Sequence, residues 1–203
     1  MKYICLVLFL FITTVAKEND LGFNNSPIVV KPTSFQKAFK RINAFEGYYV
    51  NHPLDKGKET YRGISRRYHS NWIGWSRVDN WKQVNGKPKW NQQIEEADLW
   101  VTDFYLSLWL HEKYDLINDH EIASYAFEFL IHGTDAKKVI RRITNKQFTK
   151  AITMKEVPYY LNYVDKAIFL KDLKQARLQY YNNIVKRDST QSKFIKHWLS
   201  RVN

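Results

Sequence analysis

Thiol chemistry is nearly absent from this chain. Its 203 residues contain one cysteine, Cys5, inside an apolar N-terminal run. If that run is removed, the remaining chain has no disulfide, no cysteine-ligated metal and no cysteine nucleophile. Cys5 precedes most of the apolar run instead of following it, which argues against a lipid attachment point. Glycine is also scarce, with seven residues, and no glycine-rich phosphate loop or Gly-x-Ser-x-Gly elbow is present. No histidine pair stands at metal-ligand spacing from carboxylates, so no metal and no other cofactor is expected. Apolar/polar alternation over strand lengths is rare, which disfavours an all-β chain. The only long apolar run, Tyr3 to Ile12, is short for a membrane span.

What is present is basic charge and aromatic surface. There are 32 basic against 20 acidic residues, a net charge of +12, with 7 Trp, 13 Tyr and 12 Phe. Such a balance favours a polyanionic partner: nucleic acid, an anionic membrane or an anionic wall polymer. The start of the chain, MKYICLVLFLFITTVAKEND, combines an early lysine, the apolar run and small residues up to Ala16. This is the three-part form of an export signal, over residues 1–16. The protein is therefore expected to be secreted or periplasmic, and export argues against nucleic acid. An uncleaved signal anchor would give the segment a transient membrane association.

Residues 17–33 are polar, contain two prolines and read as a linker. Ser34 can cap a helix with apolar positions Phe35, Ala38, Phe39, Ile42 and Phe45 on one face, closed by Gly47. Residues 48–65 break that period with Pro53, Gly57 and Gly63 and suit a short hairpin lobe. Residues 66–91 carry Trp72, Trp75, Trp81 and Trp90 among polar residues, and the first three either line a cleft or anchor a loop. Asn91 can then cap one long helix, Asp119 a helix ended by Gly133, and Asp135 another. Thr153 and Glu156 have capping-box spacing, and two more helical stretches end the chain. The spacing predicts one mainly α domain, 34–203, with a small β-hairpin lobe after the first helix. A monomer is expected.

Three residues stand out for chemistry: Glu46, Asp55 and Thr60. Glu46 follows Phe45 at the end of a helix, where burial and the helix dipole both penalise its charged form and should raise its pKa. That suits a general acid near neutral pH. Asp55 lies in a wetter turn beside Lys56 and Lys58, and suits the ionised partner. Thr60 can hold a water or a sugar oxygen. Two carboxyls in different environments are the working parts of glycoside hydrolysis. The bland alternative is a surface glutamate and a turn aspartate.

The spacing Glu-x8-Asp-x4-Thr resembles the Glu-x8-Asp-x5-Thr of phage-type lysozymes. The wider segment FEGYYVNHPLDKGKETYRGIS resembles the N-terminal signature of glycoside hydrolase family 108. Glu46, Gly47, Tyr49, Val50, Asn51, Pro53, Asp55, Gly57, Thr60, Gly63 and Ile64 match it. Downstream, AFEFLIHGTDAKKVIRRI is similar to the family's Phe-Asp-x-Ala-Val-Asn-x-Gly helix. From about residue 115 to 203 the chain is similar to its peptidoglycan-binding region, which typically ends Gly-Trp-Leu-x-Arg-Val. The resemblance implies a lysozyme-like fold, N-acetylmuramidase activity on peptidoglycan, and Glu46 as catalytic acid. Departures are Tyr48 for glycine, His52 for aspartate, Lys56 and Lys58 for proline and glycine, His132 for asparagine, and His197 for glycine.

The expected site is therefore Glu46, Asp55 and Thr60 for catalysis, with Tyr49, Asn51, Tyr61, Gly63 and His132 toward the substrate. Tyr49 and Tyr61 can either stack on sugar faces or pack the hairpin onto the helices. Two rivals share the fold: a module that binds peptidoglycan without cutting it, and a lytic transglycosylase. A nucleic-acid binder rests on charge alone.

Overall fold

The computed structural model describes residues 33–53, 57–133 and 135–202. The predicted signal, most of the linker, and Asp55 with its neighbours Leu54 and Lys56 lie outside the described residues.

Helix α1 spans Ser34–Phe45, and its cap is Thr33, one residue before the predicted Ser34. Thr33 and Gln36 form a reciprocal capping box, which satisfies two backbone donors at once. Ala38 and Ile42 are buried on the predicted apolar face. Three short antiparallel strands follow: β1 Tyr49–Asn51, β2 Glu59–Tyr61 and β3 Ile64–Ser65, in spatial order 1-2-3. Tyr49 pairs with Tyr61, Val50 with Thr60 and Asn51 with Glu59, and Tyr61 pairs with Ile64. This is the small lobe read from the sequence.

The remaining α-helices of the described chain are α2 Gly74–Asn85, α3 Glu95–Asp98, α4 Val101–His111, α5 His120–His132, α6 Ala136–Asn145, α7 Val157–Tyr160, α8 Lys166–Arg187 and α9 Ser192–Ser200, joined by turns and irregular segments. Asp119 caps α5 as predicted, accepting from the Glu121 and Ile122 amides, and Gly133 ends it. Asp135 occupies the cap position of α6 without a side-chain cap bond. Glu156 reaches back to the Thr153 amide and hydroxyl, half of the expected box.

Two expectations are corrected. Helix α2 was not anticipated, because its tryptophans and charges show no clean period; Trp75 and Val78 are buried on it. The predicted long helix from Asn91 divides into α3 and α4. Asn91 has φ of 57°, and its side chain serves Tyr48 instead of a helix start. Trp72 and Trp75 pack edge to face at 5.3 Å in the core, the anchoring alternative.

Candidate active site

Glu46 is the residue after α1. Its backbone leaves the helix in an extended conformation (φ −87°, ψ 120°) while its amide still donates to Ile42 O. Gly47 was expected to close the helix, but the cap is Glu46, and Gly47 makes no left-handed turn. It provides room: a Cβ there would lie 2.8 Å from Asn91 Oδ1, which accepts from the Tyr48 amide. Asn91 N also donates to Tyr49 O, and Tyr49 N to Gln92 O. The irregular stretch after the helix is thus clasped by residues 91 and 92, and the clasp positions the acid's backbone.

The Glu46 carboxyl is nearly buried, with 11% of its side chain exposed. Oε1 lies 2.6 Å from His132 Nε2, at the end of α5, and 2.6 Å from Arg201 Nη1, just after α9. His132 Nε2 and Arg201 Nη1 are also in contact. Gly63 lies against the carboxyl from the β2–β3 turn. Its φ is +78°, and a Cβ would stand 2.7 Å from both the Glu46 carboxyl carbon and the Tyr105 hydroxyl. Only glycine suits that conformation and that gap. Tyr105 itself donates to Arg62 O at 2.7 Å, and burial, then the Glu46 charge, push its pKa well up.

The electrostatics reverse one expectation. Burial does push the Glu46 pKa up, as the sequence suggested. The hydrogen bond and charge of His132, with the charge and hydrogen bond of Arg201, outweigh it and bring the carboxyl down to about 2. In this arrangement Glu46 is a carboxylate at neutral pH, not a protonated acid. The dipole argument fails for a related reason. Arg201 Nη2 also donates to Phe45 O (3.4 Å), so a cation covers the negative end of α1.

Arg201 is itself anchored. His197 Nε2 lies 2.9 Å from its Nη2, and Arg41 Nη2 donates to its carbonyl at 3.3 Å. Burial, then the Arg201 charge, lower the His197 pKa, so His197 accepts as a neutral ring. Arg41 extends from α1 to Glu128 on α5, with Nε 2.5 Å from Oε2. Arg177 of α8 reaches the other oxygen of Glu128 at 3.2 Å. Glu128 is fully buried and Arg177 is 1% exposed, so this ion triad joins α1, α5 and α8 behind the site.

The structure redistributes the other expected site residues. Tyr49 is 2% exposed and Tyr61 is wholly buried. Neither can stack on a sugar; the packing alternative holds. The Tyr61 hydroxyl lies 2.8 Å from Asp98 Oδ1 and accepts from the Ile94 amide, tying β2 to α3. Glu59, the other carboxylate of the lobe, is held by Arg66 Nε at 2.9 Å and by Lys82. Thr60 is half-buried beside Val50 and Ser65, and Asn51 is exposed on the lobe's edge. His132 sits on the acid instead of facing outward. Of the expected residues, Glu46, Gly63 and His132 come together. Tyr105 was not singled out, and a buried tyrosine on an apolar helix carries no local signal. Arg201 had one: it is the arginine of the quoted C-terminal motif.

Residues 39–133 match the family described as glycosyl hydrolase 108. No curated protein matches the chain. A solved structure of SagA from Brucella abortus has a TM-score of 0.55 with this chain, at 22% identity, over 83% of this chain and 89% of that one. The fold is thus the mainly helical, lysozyme-like one, with its small sheet after the first helix. The matched segment contains Glu46, Gly63, Tyr105 and His132. Arg201 and His197 come from beyond it, so the cluster on Glu46 crosses the boundary of the family match.

Proposed function

We propose that this chain, with a glycosyl hydrolase 108 pattern over residues 39–133, is a peptidoglycan hydrolase. It would cleave the β-1,4 bond between N-acetylmuramic acid and N-acetylglucosamine, with Glu46 protonating the leaving oxygen. The observation that carries this reading is the placement of Glu46. A nearly buried carboxyl ends the first helix of the matched segment, against Gly63, where a Cβ would meet it and the Tyr105 hydroxyl. In this reading Asp55 orients the attacking water or stabilises oxocarbenium-like charge, and Thr60 helps place the water. The net charge of +12 would draw the enzyme to an anionic wall, an attraction weakened by salt.

The ionised state of Glu46 constrains this mechanism. A general acid needs its proton when the bond breaks. Arg201 must therefore relinquish Oε1, or a neighbour must supply the proton, when the glycan is bound. The same arginine contact favours a second reading, a module that holds peptidoglycan with a permanently ionised Glu46. Turbidity and mass spectrometry on purified wall separate the readings. Hydrolysis releases ordinary reducing ends; a lytic transglycosylase releases 1,6-anhydro ends; a module binds and releases neither. Lysis that survives Glu46→Gln overturns the acid assignment.

A further inference from the structure

We infer that His132 is a positioning residue that holds the reaction's proton for Glu46, so that the two side chains share one dissociable proton. The inference rests on the acid role of Glu46 proposed above. It comes from the hydrogen-bond inventory of the imidazole. Nδ1 lies 2.7 Å from Glu128 O, and a carbonyl can only accept, so Nδ1 carries a hydrogen. That leaves Nε2 as the ring's only atom for proton exchange. Nε2 lies 2.6 Å from Glu46 Oε1, a hydrogen-bond length between two atoms that are both acceptors unless a proton sits between them. Arg201 Nη1 touches both atoms and could by itself supply a hydrogen to a neutral ring. In the inferred state the pair instead holds one proton, as an imidazolium beside a carboxylate or as a neutral ring beside a carboxylic acid.

The surroundings act on that proton from several sides. Arg201 Nη1 donates to the same carboxylate oxygen, which favours the carboxylate, and also touches His132 Nε2, where its charge opposes an imidazolium. His197 is bound to Arg201 and kept neutral, so it does not compete for the proton. Tyr105 faces Glu46 from α4 and donates its own hydrogen to Arg62 O. Behind the ring, the Glu128 carboxylate is occupied by Arg41 and Arg177. Its carbonyl alone meets His132, which fixes the tautomer by main chain instead of by charge.

The step balances as follows. A glycan oxygen that draws Arg201 from Oε1 removes what holds the carboxylate charged. The Nε2–H bond breaks as the Oε1–H bond forms. The O–H bond then breaks as the hydrogen joins the bridging oxygen, which takes the electron pair of the C1–O bond. Water adds its oxygen to C1 and loses a proton to solvent, and solvent returns one to His132. One water is consumed for each bond cut.

The test is the pH dependence of kcat/KM on purified wall, which reports groups of the free enzyme. It is paired with nitrogen NMR of the His132 ring in the wild type and in Glu46→Gln. In His132→Asn the amide can still touch Glu46 but carries no exchangeable acid proton. The alkaline limb is then expected to fall by about 2 pH units, from the histidine to the carboxylate range. Activity at low pH should recover. In the NMR arm His132 should lose its proton at lower pH in Glu46→Gln than in the wild type, with Nδ1 protonated throughout. A limb that stays in place while activity drops at every pH means a structural role and overturns the inference. So does a His132 titration indifferent to Glu46→Gln, which decides the matter even if His132→Asn does not fold. Undiminished lysis by Glu46→Gln instead strikes the acid assignment itself, a different failure.

Discussion

Arg201 Nη1 donates to Glu46 Oε1 at 2.6 Å and joins residues 155 positions apart in the chain. Together with His132, it reverses the ionisation that burial of Glu46 would otherwise impose. The proton affinity of the site is thereby coupled to the docking of α9.

Removing that cation should act in a defined direction. In Arg201→Met the carboxyl loses a contribution that lowers its pKa, while burial still raises it. The alkaline limb of the activity profile should move to higher pH, and Arg201→Lys should move it less. Lysis rates from pH 4 to 9 check this. A limb displaced to lower pH would refute the electrostatic role given to Arg201.

Glu46 should also contribute to stability with a pH signature. Its folded pKa of about 2 is depressed below the ordinary 4.5. A depressed carboxyl stabilises the fold above the unfolded value, and the contribution is lost as pH falls through the folded one. Glu46→Gln should therefore be less stable than wild type above about pH 4.5, and the gap should close toward pH 2. Urea midpoints at a series of pH values measure it.

Gly63→Ala tests the fit around the carboxyl. The new methyl meets the Glu46 carboxyl carbon and the Tyr105 hydroxyl at 2.7 Å, at a φ of +78°. A cost of about 1–3 kcal/mol in stability is expected from the backbone conformation. Displacing the acid by about 1 Å should cost roughly 100-fold in kcat. Denaturation curves and lysis rates report the two effects separately.

Glu128→Ala should be among the most damaging changes behind the site. It leaves Arg177 buried at 1% exposure with its carboxylate partner gone. Breaking a buried pair in this way costs about 3–5 kcal/mol. Thermal unfolding would show it, and a change of only a few tenths would mean that the triad is not stabilising.

Tyr61→Phe separates packing from sugar binding. The hydroxyl that it removes bonds Asp98 and Ile94 in the interior. Stability should fall by about 1 kcal/mol with glycan affinity unchanged. A weakened wall interaction at unchanged stability would restore the stacking role that burial removes.

Much of this was legible locally. The apolar spacing of Phe35 to Phe45 forms α1, Asp119 and Gly133 bound α5, and the breakers between Gly47 and Gly63 announce the lobe. These features depend on neighbours within a few residues, where capping and periodicity act. The orientation of Tyr49 and Tyr61 was not legible, because a tyrosine in a short strand suits either face until the partner layer is known. Helix α2 was missed because its burial comes from only a few residues, packed against α3, with no repeated stripe.

The sequence by itself determined the helical class, the place of the lobe and the identity of the carboxyl at the end of α1, because each is written in short-range spacing. Only the tertiary structure decided the charge that the carboxyl carries. That charge depends on His132 and Arg201, brought within 2.6 Å from 86 and 155 residues away. At such range the hydrogen bonds and charges of the two partners together outweigh burial, and no pattern along the chain encodes the distance.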